Sequence, residues 1–305
     1  MQDSIHSYMK VGIIHFMIYP ETMKGEGPIL ETLQKICQDD FFSAIEISWM
    51  KDPEIRKKAR AMLEQSGLTV AYGAQPTLLV NKFNVNSLDT TERKKVVDFL
   101  KERISEAEEL GAKAVAILSG ADPGPEKRED AKKALVASLV ELSNFANTKN
   151  LKFVLETFDR DIDKKCLMGP SDEAALIARE VRNECKNFGL MVDLSHMPLL
   201  HETPKQSLSA VKDYLVHVHM GNAIMRDKTA VGYGDQHPRF GISTGENGVD
   251  QLTDFLKCLL KVGYIGKKTD SLPIVSFEVK PLPGENPEVL IANSKRALRD
   301  AWNRV

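Results

Sequence analysis

The sequence lacks several features that would fix its class at once. Its four cysteines, Cys37, Cys166, Cys185 and Cys258, form no C-x-x-C pair and match no zinc-ribbon spacing. Free thiols in a reducing, cytoplasmic compartment are expected, without a structural disulfide. Charge of one sign is not in excess: 41 Lys plus Arg face 43 Asp plus Glu, a formal net charge of −2. The basic stripe of a nucleic-acid binder is therefore missing, and the pair Lys94–Lys95 reads as a solvated helix face. No apolar run reaches the roughly 18 residues of a membrane span. The opening MQDSIHSYMK has no apolar core of a signal peptide. No G-x-G-x-x-G follows the first apolar run, so a dinucleotide-binding open sheet has no local support. Neither an internal repeat nor a low-complexity segment is present.

What is there is a regular alternation. The 305 residues, 42% hydrophobic and 28% charged, are enough for one large or two medium domains. Short apolar runs begin at Val11, Ser43, Thr69, Ala112, Leu151, Phe188, Tyr214 and Pro273. Each is too brief for a helix and too continuous for a half-exposed strand, which predicts parallel strands covered on both faces. Between them lie amphipathic stretches. From Thr90 to Leu110 the apolar residues Val96, Val97, Leu100, Ile104 and Ala107 recur at helical spacing, and Gly111 follows as a stop. Pro170-Ser171-Asp172-Glu173 carries N-terminal capping chemistry for another helix. Residues 131–147, 249–262 and 286–302 read as further helices. Eight strands with intervening helices predict an α/β fold, a (β/α)8 TIM barrel filling residues 1–305 as a single domain. An extended loop at about 221–248 is expected over the active-site face.

Polar residues fall where a barrel's strands should end. Glu156 closes the fifth run, Asp193 and His196 the sixth, His217 and His219 the seventh, and Glu278 the eighth. In a barrel these ends converge on the face where active sites are built. Unpaired, each buried charge would cost several kcal/mol, and a divalent cation would satisfy all of them together. Taken singly, each has a plainer reading: a salt-bridge partner for a glutamate, a satisfied core group for a histidine. His217 and His219 are two apart on a strand and point to the same side, with His219 nearer the rim.

The set Glu156, Asp193-x-x-His196, His219 and Glu278 resembles the sugar phosphate isomerase/epimerase superfamily, the xylose-isomerase-like TIM barrels. Ketose 3-epimerases, inosose dehydratases, hydroxypyruvate isomerases and endonuclease IV belong to it. The resemblance implies one divalent metal ion, Mn, Mg, Co or Zn, held by Glu156, Asp193, His219 and Glu278, with His196 on the substrate beside it. The segment Gly234-Asp235-Gln236-His237-Pro238-Arg239-Phe240-Gly241 is also similar to a stretch of that superfamily. In endonuclease IV its Asp-x-His pair binds one of three zinc ions. Asp235 and His237 occupy those positions here, for substrate binding, for a second metal or for a turn before Pro238. Histidines that endonuclease IV carries at strands three and four are replaced by Gln75 and Ser119-Gly120, which argues against a trinuclear site. Ketose 3-epimerases place a Glu where this chain has Ile162 and an Arg where it has Met225; Asp159 or Arg160, and Arg226, are the nearest substitutes.

The resemblance implies a metal-dependent sugar or sugar-phosphate isomerase or epimerase. It would abstract a proton next to a carbonyl through a metal-stabilised enediolate, with Glu156 and Glu278 as the acid/base pair and His196 on a substrate oxygen. The alternative is a metal-dependent lyase or dehydratase on a keto-sugar, inosose or 3-oxo-glycoside; an endonuclease IV-like phosphodiesterase is the weaker option. Further pocket candidates are Lys280 and Arg239 for a phosphate or hydroxyl, and His15, Glu46 and Trp49 for the wall. Each of these also reads as an ordinary surface or core residue. The expected partner is a small carbohydrate-type substrate, with no nucleic acid and no membrane. Homo-oligomers are common in the family.

Overall fold

In the computed structural model, residues 3–267 and 271–305 are described. Met1 and Gln2 of the opening segment lie outside them. The elements alternate as the runs predict. First come β1 (Lys10–Ile13), α1 (His15–Ile18), α2 (Ile29–Cys37), β2 (Ala44–Ile47), α3 (Pro53–Ser66), β3 (Thr69–Gly73), α4 (Gln75–Asn81), α5 (Thr90–Glu109) and β4 (Ala114–Leu118). The second half holds α6 (Arg128–Asn147), β5 (Lys152–Glu156), α7 (Ser171–Glu184), β6 (Phe188–Asp193), α8 (His196–Leu199), α9 (Pro204–Val211), β7 (Leu215–Gly221), α10 (Val249–Lys261), β8 (Ile274–Glu278) and α11 (Pro287–Trp302). All ladders are parallel, and the order β1-β8-β7-β6-β5-β4-β3-β2 runs round a nearly closed (β/α)8 barrel. At the seam between β1 and β2, Ser43 N donates to Val11 O at 2.9 Å, and Ile14 bridges Glu46.

Local chemistry explains the boundaries. The side chain of Asp89 accepts from the N–H groups of Thr91 and Glu92 at the start of α5, and Val96, Val97, Leu100, Ile104 and Ala107 form its buried stripe. Gly111 follows in the left-handed region at φ 79°. Helix α7 starts at Ser171 after Pro170, whose side chain has no group to cap it; the Ser171 N–H donates instead to Glu202 Oε1 at 2.8 Å.

Most of the core lies between the sheet and its helices. Inside the barrel, Ala116, Val154 and Met191 make a small separate cluster, flanked by Ala114 and Val216. Strand alternation puts Val154 on the face of Glu156 and Met191 on that of Asp193. The interior therefore changes from apolar to charged at the next inward residue. Between β6 and β7 the register slips from Leu190↔Leu215 to Met191↔His217. This irregularity sits just below the histidines and sets Asp193 opposite His219.

Residues 222–248 connect β7 to α10 over the barrel mouth. Asn222 Oδ1 accepts from the N–H groups of Ala223 and Asn247, and Asn247 Nδ2 donates to Leu194 O and Gly221 O. The loop is thus tied to the ends of β6 and β7. All four cysteines are free. Among the described residues no helix is long and apolar enough to cross a membrane.

Candidate active site

Four strand ends deliver their ligand atoms to one point. Glu156, Asp193, His219 and Glu278 each offer an atom within 4.8 Å of the others, and all four side chains are buried. Glu156 Oε1, Asp193 Oδ2, His219 Nδ1 and Glu278 Oε2 have no hydrogen-bond partner of acceptable geometry. Orphaned buried polar atoms are rare and costly; here one from each of four side chains meets the others. Three carboxylate oxygens and one imidazole nitrogen suit Mn, Mg, Co or Zn, so these residues fit a divalent ion.

The electrostatics show the same demand for positive charge. Burial pushes the Asp193 carboxyl up, as does repulsion from Glu278, to a pKa of about 6. Burial disfavours charge on His219, but Glu46 and Glu278 override it and hold the ring's pKa well above its ordinary value. Burial would also raise Glu278, but His237 and His219 outweigh it and keep that carboxyl low.

Glu156, Asp193 and His219 are each held by a partner outside the set. Gln75 Nε2 donates to Glu156 Oε2 at 2.7 Å, leaving Oε1 to face the centre. Ser195 N donates to Asp193 Oδ1 at 2.7 Å, leaving Oδ2. His219 Nδ1 lies 2.7 Å from Glu278 Oε2, while its Nε2 lies 3.1 Å from both oxygens of Glu46. Glu46 Oε1 also meets His217 Nε2 at 2.7 Å. This is the carboxylate–histidine arrangement that fixes which ring nitrogen faces a metal. Glu46 and His217 therefore orient His219. Burial opposes the Glu46 charge, but His217 and His219 hold its carboxyl well below the usual range.

The loop over β7 supplies the next layer. Asp235 Oδ1 lies 2.8 Å from His237 Nε2 and 3.0 Å from His196 Nε2. His237 Nε2 is also 3.4 Å from Glu278 Oε1. His237 sits in the left-handed region at φ 50°, with its carbonyl accepting from Lys280 N at 2.8 Å. A non-glycine residue held there costs on the order of 1 kcal/mol or more, which marks its position as imposed by its surroundings. Close approach shows at Gly221, where a Cβ would lie 2.9 Å from Glu278 O and 3.1 Å from Asp193 Oδ1 and His237 Nδ1.

A pocket opens above the centre. Glu156, His219, Asp235, His237, Glu278 and Lys280 line its polar side, and Lys280 Nζ donates to Gln236 Oε1 at 3.3 Å. Its opposite wall is Ile14, Phe16, Met17, Met23, Leu79 and Val80. Gly73 forms part of this wall, since a Cβ there would lie 2.8 Å from the Phe16 ring and 2.9 Å from Gln75 Oε1.

Several sequence candidates lie elsewhere. His196 is expected against the substrate, yet it does not line the pocket: it sits behind Asp235, packed on Phe158 at 4.4 Å between ring centroids. His15 is not on β1, which ends at Ile13; it opens α1, and its Nε2 meets Thr32 Oγ1 at 2.8 Å in the core. Trp49 donates through Nε1 to Met23 O at 2.9 Å and packs on Gly25 and Lys51, away from the pocket. Arg226 points outward, its side chain 74% exposed and paired with Glu246 at 3.1 Å, so it does not replace the missing arginine. Arg239 pairs with Glu285 at 3.0 Å. Asp159 takes no part in the pocket either: its carboxylate accepts from the N–H groups of Ile162, Asp163 and Lys164. Lys164 also lines the pocket, and its only sequence signal is the polar stretch that follows β5.

Comparison with known proteins adds the family. A family model described as xylose isomerase-like TIM barrel matches residues 37–299. No curated protein matches at a significant level. Among solved structures, a D-tagatose 3-epimerase-like protein superposes with a TM-score of 0.72 at 19% identity, over 97% of this chain and 99% of its own. An L-ribulose 3-epimerase gives a TM-score of 0.72 at 18% identity, over 97% and 96%. A 3-keto-D-glucoside 4-epimerase from E. coli gives 0.65 at 18% identity, over 95% and 99%. At such identities the likeness is one of fold.

Proposed function

The chain belongs to the xylose isomerase-like TIM barrel family, and from that premise we propose that it is a divalent-metal-dependent isomerase or epimerase of a sugar or sugar phosphate. The observation that carries this reading is the meeting of four buried ligand atoms, from Glu156, Asp193, His219 and Glu278, that have no hydrogen bond of acceptable geometry and face one another beneath a pocket. That two of the similar structures named above are epimerases and the third is an epimerase-like protein supports it.

A bound divalent ion supplies Lewis acidity toward a substrate carbonyl, which makes the neighbouring C–H acidic. The remaining work belongs to the chain. Glu156 comes from β5 and Glu278 from β8, so the two carboxylates reach the polar side of the pocket from different strands. One takes the proton from the carbon beside the carbonyl; the other returns a proton from the opposite face, which inverts that carbon. Return at a different carbon gives an aldose–ketose isomerisation. Gln75 steadies Glu156, and His219 and His237 flank Glu278, so neither carboxylate is free to swing. Phe16, Met17 and Phe158 keep water from the reacting carbon. His196 acts through Asp235 and not on a substrate oxygen. The same reading gives one resident ion, Mn, Mg, Co or Zn, a small carbohydrate-type substrate, one barrel unit, a cytoplasmic location, and no nucleic-acid or membrane partner.

A second reading, a lyase on a keto-sugar, is favoured by one observation. The wall of Phe16, Met17, Met23, Leu79 and Val80 suits an apolar leaving group better than a bare polyol. Proton NMR in deuterium oxide separates the two with Mn2+-loaded protein and a panel of ketoses, inososes, 3-oxo-glucosides and sugar phosphates. Deuterium beside the carbonyl with no other mass change supports the first. Loss of water or an aglycone supports the second. A protein that neither binds nor responds to a divalent ion sinks both.

A further inference from the structure

A second buried cluster adjoins the four ligand atoms. Asp235 Oδ1 stands 3.0 Å from His196 Nε2 and 2.8 Å from His237 Nε2, and the three side chains are at most 2% exposed. His196 Nδ1 faces Thr157 O at 2.8 Å. A carbonyl only accepts, so Nδ1 carries the proton. Burial disfavours charge on this ring, but Asp235 holds its pKa well above the ordinary value, so without an ion Nε2 turns a proton toward the carboxylate, and an ion bound there would displace that proton. His196 Nε2 and Asp235 Oδ1 are both left without a hydrogen-bond partner of acceptable geometry. Two imidazole nitrogens flanking one carboxylate oxygen, all buried, are donor types that suit a transition-metal ion, and the same two histidines also offer atoms within 4.8 Å of Asp193.

The chain places a different cation there. Lys164 Nζ lies 3.0 Å from Asp235 Oδ2 and 3.1 Å from Asp163 Oδ2, and donates to Asp235 O at 3.3 Å. This is not a stray surface lysine. Its side chain is 19% exposed, and its loop is pinned by Asp159, whose carboxylate accepts from three successive N–H groups, those of Ile162, Asp163 and Lys164. Asp163 ties that loop to the other, since its Oδ2 accepts from Asp235 N at 3.0 Å and Gln236 Nε2 at 3.2 Å. Burial works against the ammonium charge, but Asp235 and Asp163 keep Lys164 protonated well beyond its ordinary range.

We propose that the Lys164 ammonium takes the place of a second metal ion. It neutralises Asp235, and by like-charge repulsion it keeps a divalent cation off the His196, His237 and Asp235 donors. The centre then holds one ion, and His237, which lines the pocket, stays a hydrogen-bonding group and not a ligand. This inference rests on the metal reading of Glu156, Asp193, His219 and Glu278.

Metal stoichiometry tests it without a substrate. The chelator-treated protein is dialysed against micromolar Mn2+ and the bound metal counted, with thermal unfolding as the fold check. The wild type should hold one ion per chain, and Lys164→Met two. Lys164→Arg, which keeps the charge, should stay at one. Adding His237→Ala to Lys164→Met should return the count to one, which locates the extra ion. Electron paramagnetic resonance should show an isolated Mn2+ spectrum for the wild type and a broadened, coupled one for Lys164→Met. If Lys164→Met does not fold, Lys164→Gln gives the same readout. Two ions in the wild type, or one in a folded charge-removing variant, overturns the inference and leaves the metal reading standing. No ion in the wild type overturns the metal reading, and this inference with it.

Discussion

The two halves of the barrel rim are built from the same element and carry different chemistry. Strands β1 to β4 end in Ile13, Ile47, Gly73 and Leu118. Across the barrel, β5, β6 and β8 end in Glu156, Asp193 and Glu278, and β7 carries His219 two residues before its end. From the first half, Glu46 and Gln75 reach the centre, and each bonds a ligand side chain. The second half therefore supplies the donors, while the first orients them and shapes the wall. Under the proposed function, an ion gripped from one side only leaves its other side open to a substrate. That is the physical content of the asymmetry, since a ring of donors from all eight strands would close the coordination sphere.

The largest effect should come from the second half. Glu278→Gln removes a negative oxygen from the donor set and leaves the rest of its surroundings in place. Mn2+ affinity measured by calorimetry should fall more than about 100-fold, beyond the 10–100-fold typical of outer-layer partners. Glu46→Gln, in the first half, should stay within that range of about 10–100-fold, because it frees the His219 ring to turn without removing a donor. The pair of variants puts the comparison at risk. Glu46, His217 and His219 also have ligand atoms close enough together to hold an ion. If Glu46→Gln costs as much as Glu278→Gln, the ion sits deeper in the barrel and the division between the halves fails.

The sequence shows the donors better than what holds them. The eight strands are legible because each is a continuous apolar run, and Glu156, Asp193, His219 and Glu278 stand out because charge at such a position breaks the run. Their orienting partners break nothing. Glu46 meets His217 across 171 residues and Gln75 meets Glu156 across 81, contacts made by closure of the barrel and not by any local pattern. Lys164 reaches the backbone of Asp235 across 71 residues and reads in the sequence as one more polar loop residue. The errors have the same source. The resemblance puts His196 on the substrate, but the turn after Asp193 carries it behind Asp235. His15 reads as a continuation of β1, but the backbone turns into α1 and takes the ring into the core.

His15 gives the smallest effect and the closest contrast between the halves. It and His219 are equally buried, at 2% exposure each. His219 has carboxylates at both ring nitrogens, whereas His15 has one polar contact, the Thr32 hydroxyl at 2.8 Å. Burial alone pushes the His15 pKa down from 6.5 to about 4. Below pH 6.5 the unfolded chain therefore takes up a proton that the fold refuses. The stability linked to His15 is full above 6.5 and is lost as the pH falls toward about 4. At about 1.4 kcal/mol per unit of pKa, the loss is on the order of 3 kcal/mol. His15→Gln keeps a group able to bond Thr32 and removes the titration. Urea midpoints measured at neutral pH and at two points between 6.5 and 4 should fall less steeply for the variant than for the wild type. Carboxylates common to both proteins cancel in that difference. Equal slopes would mean that His15 carries a proton in the fold, and that burial without a carboxylate partner does not keep a histidine neutral here.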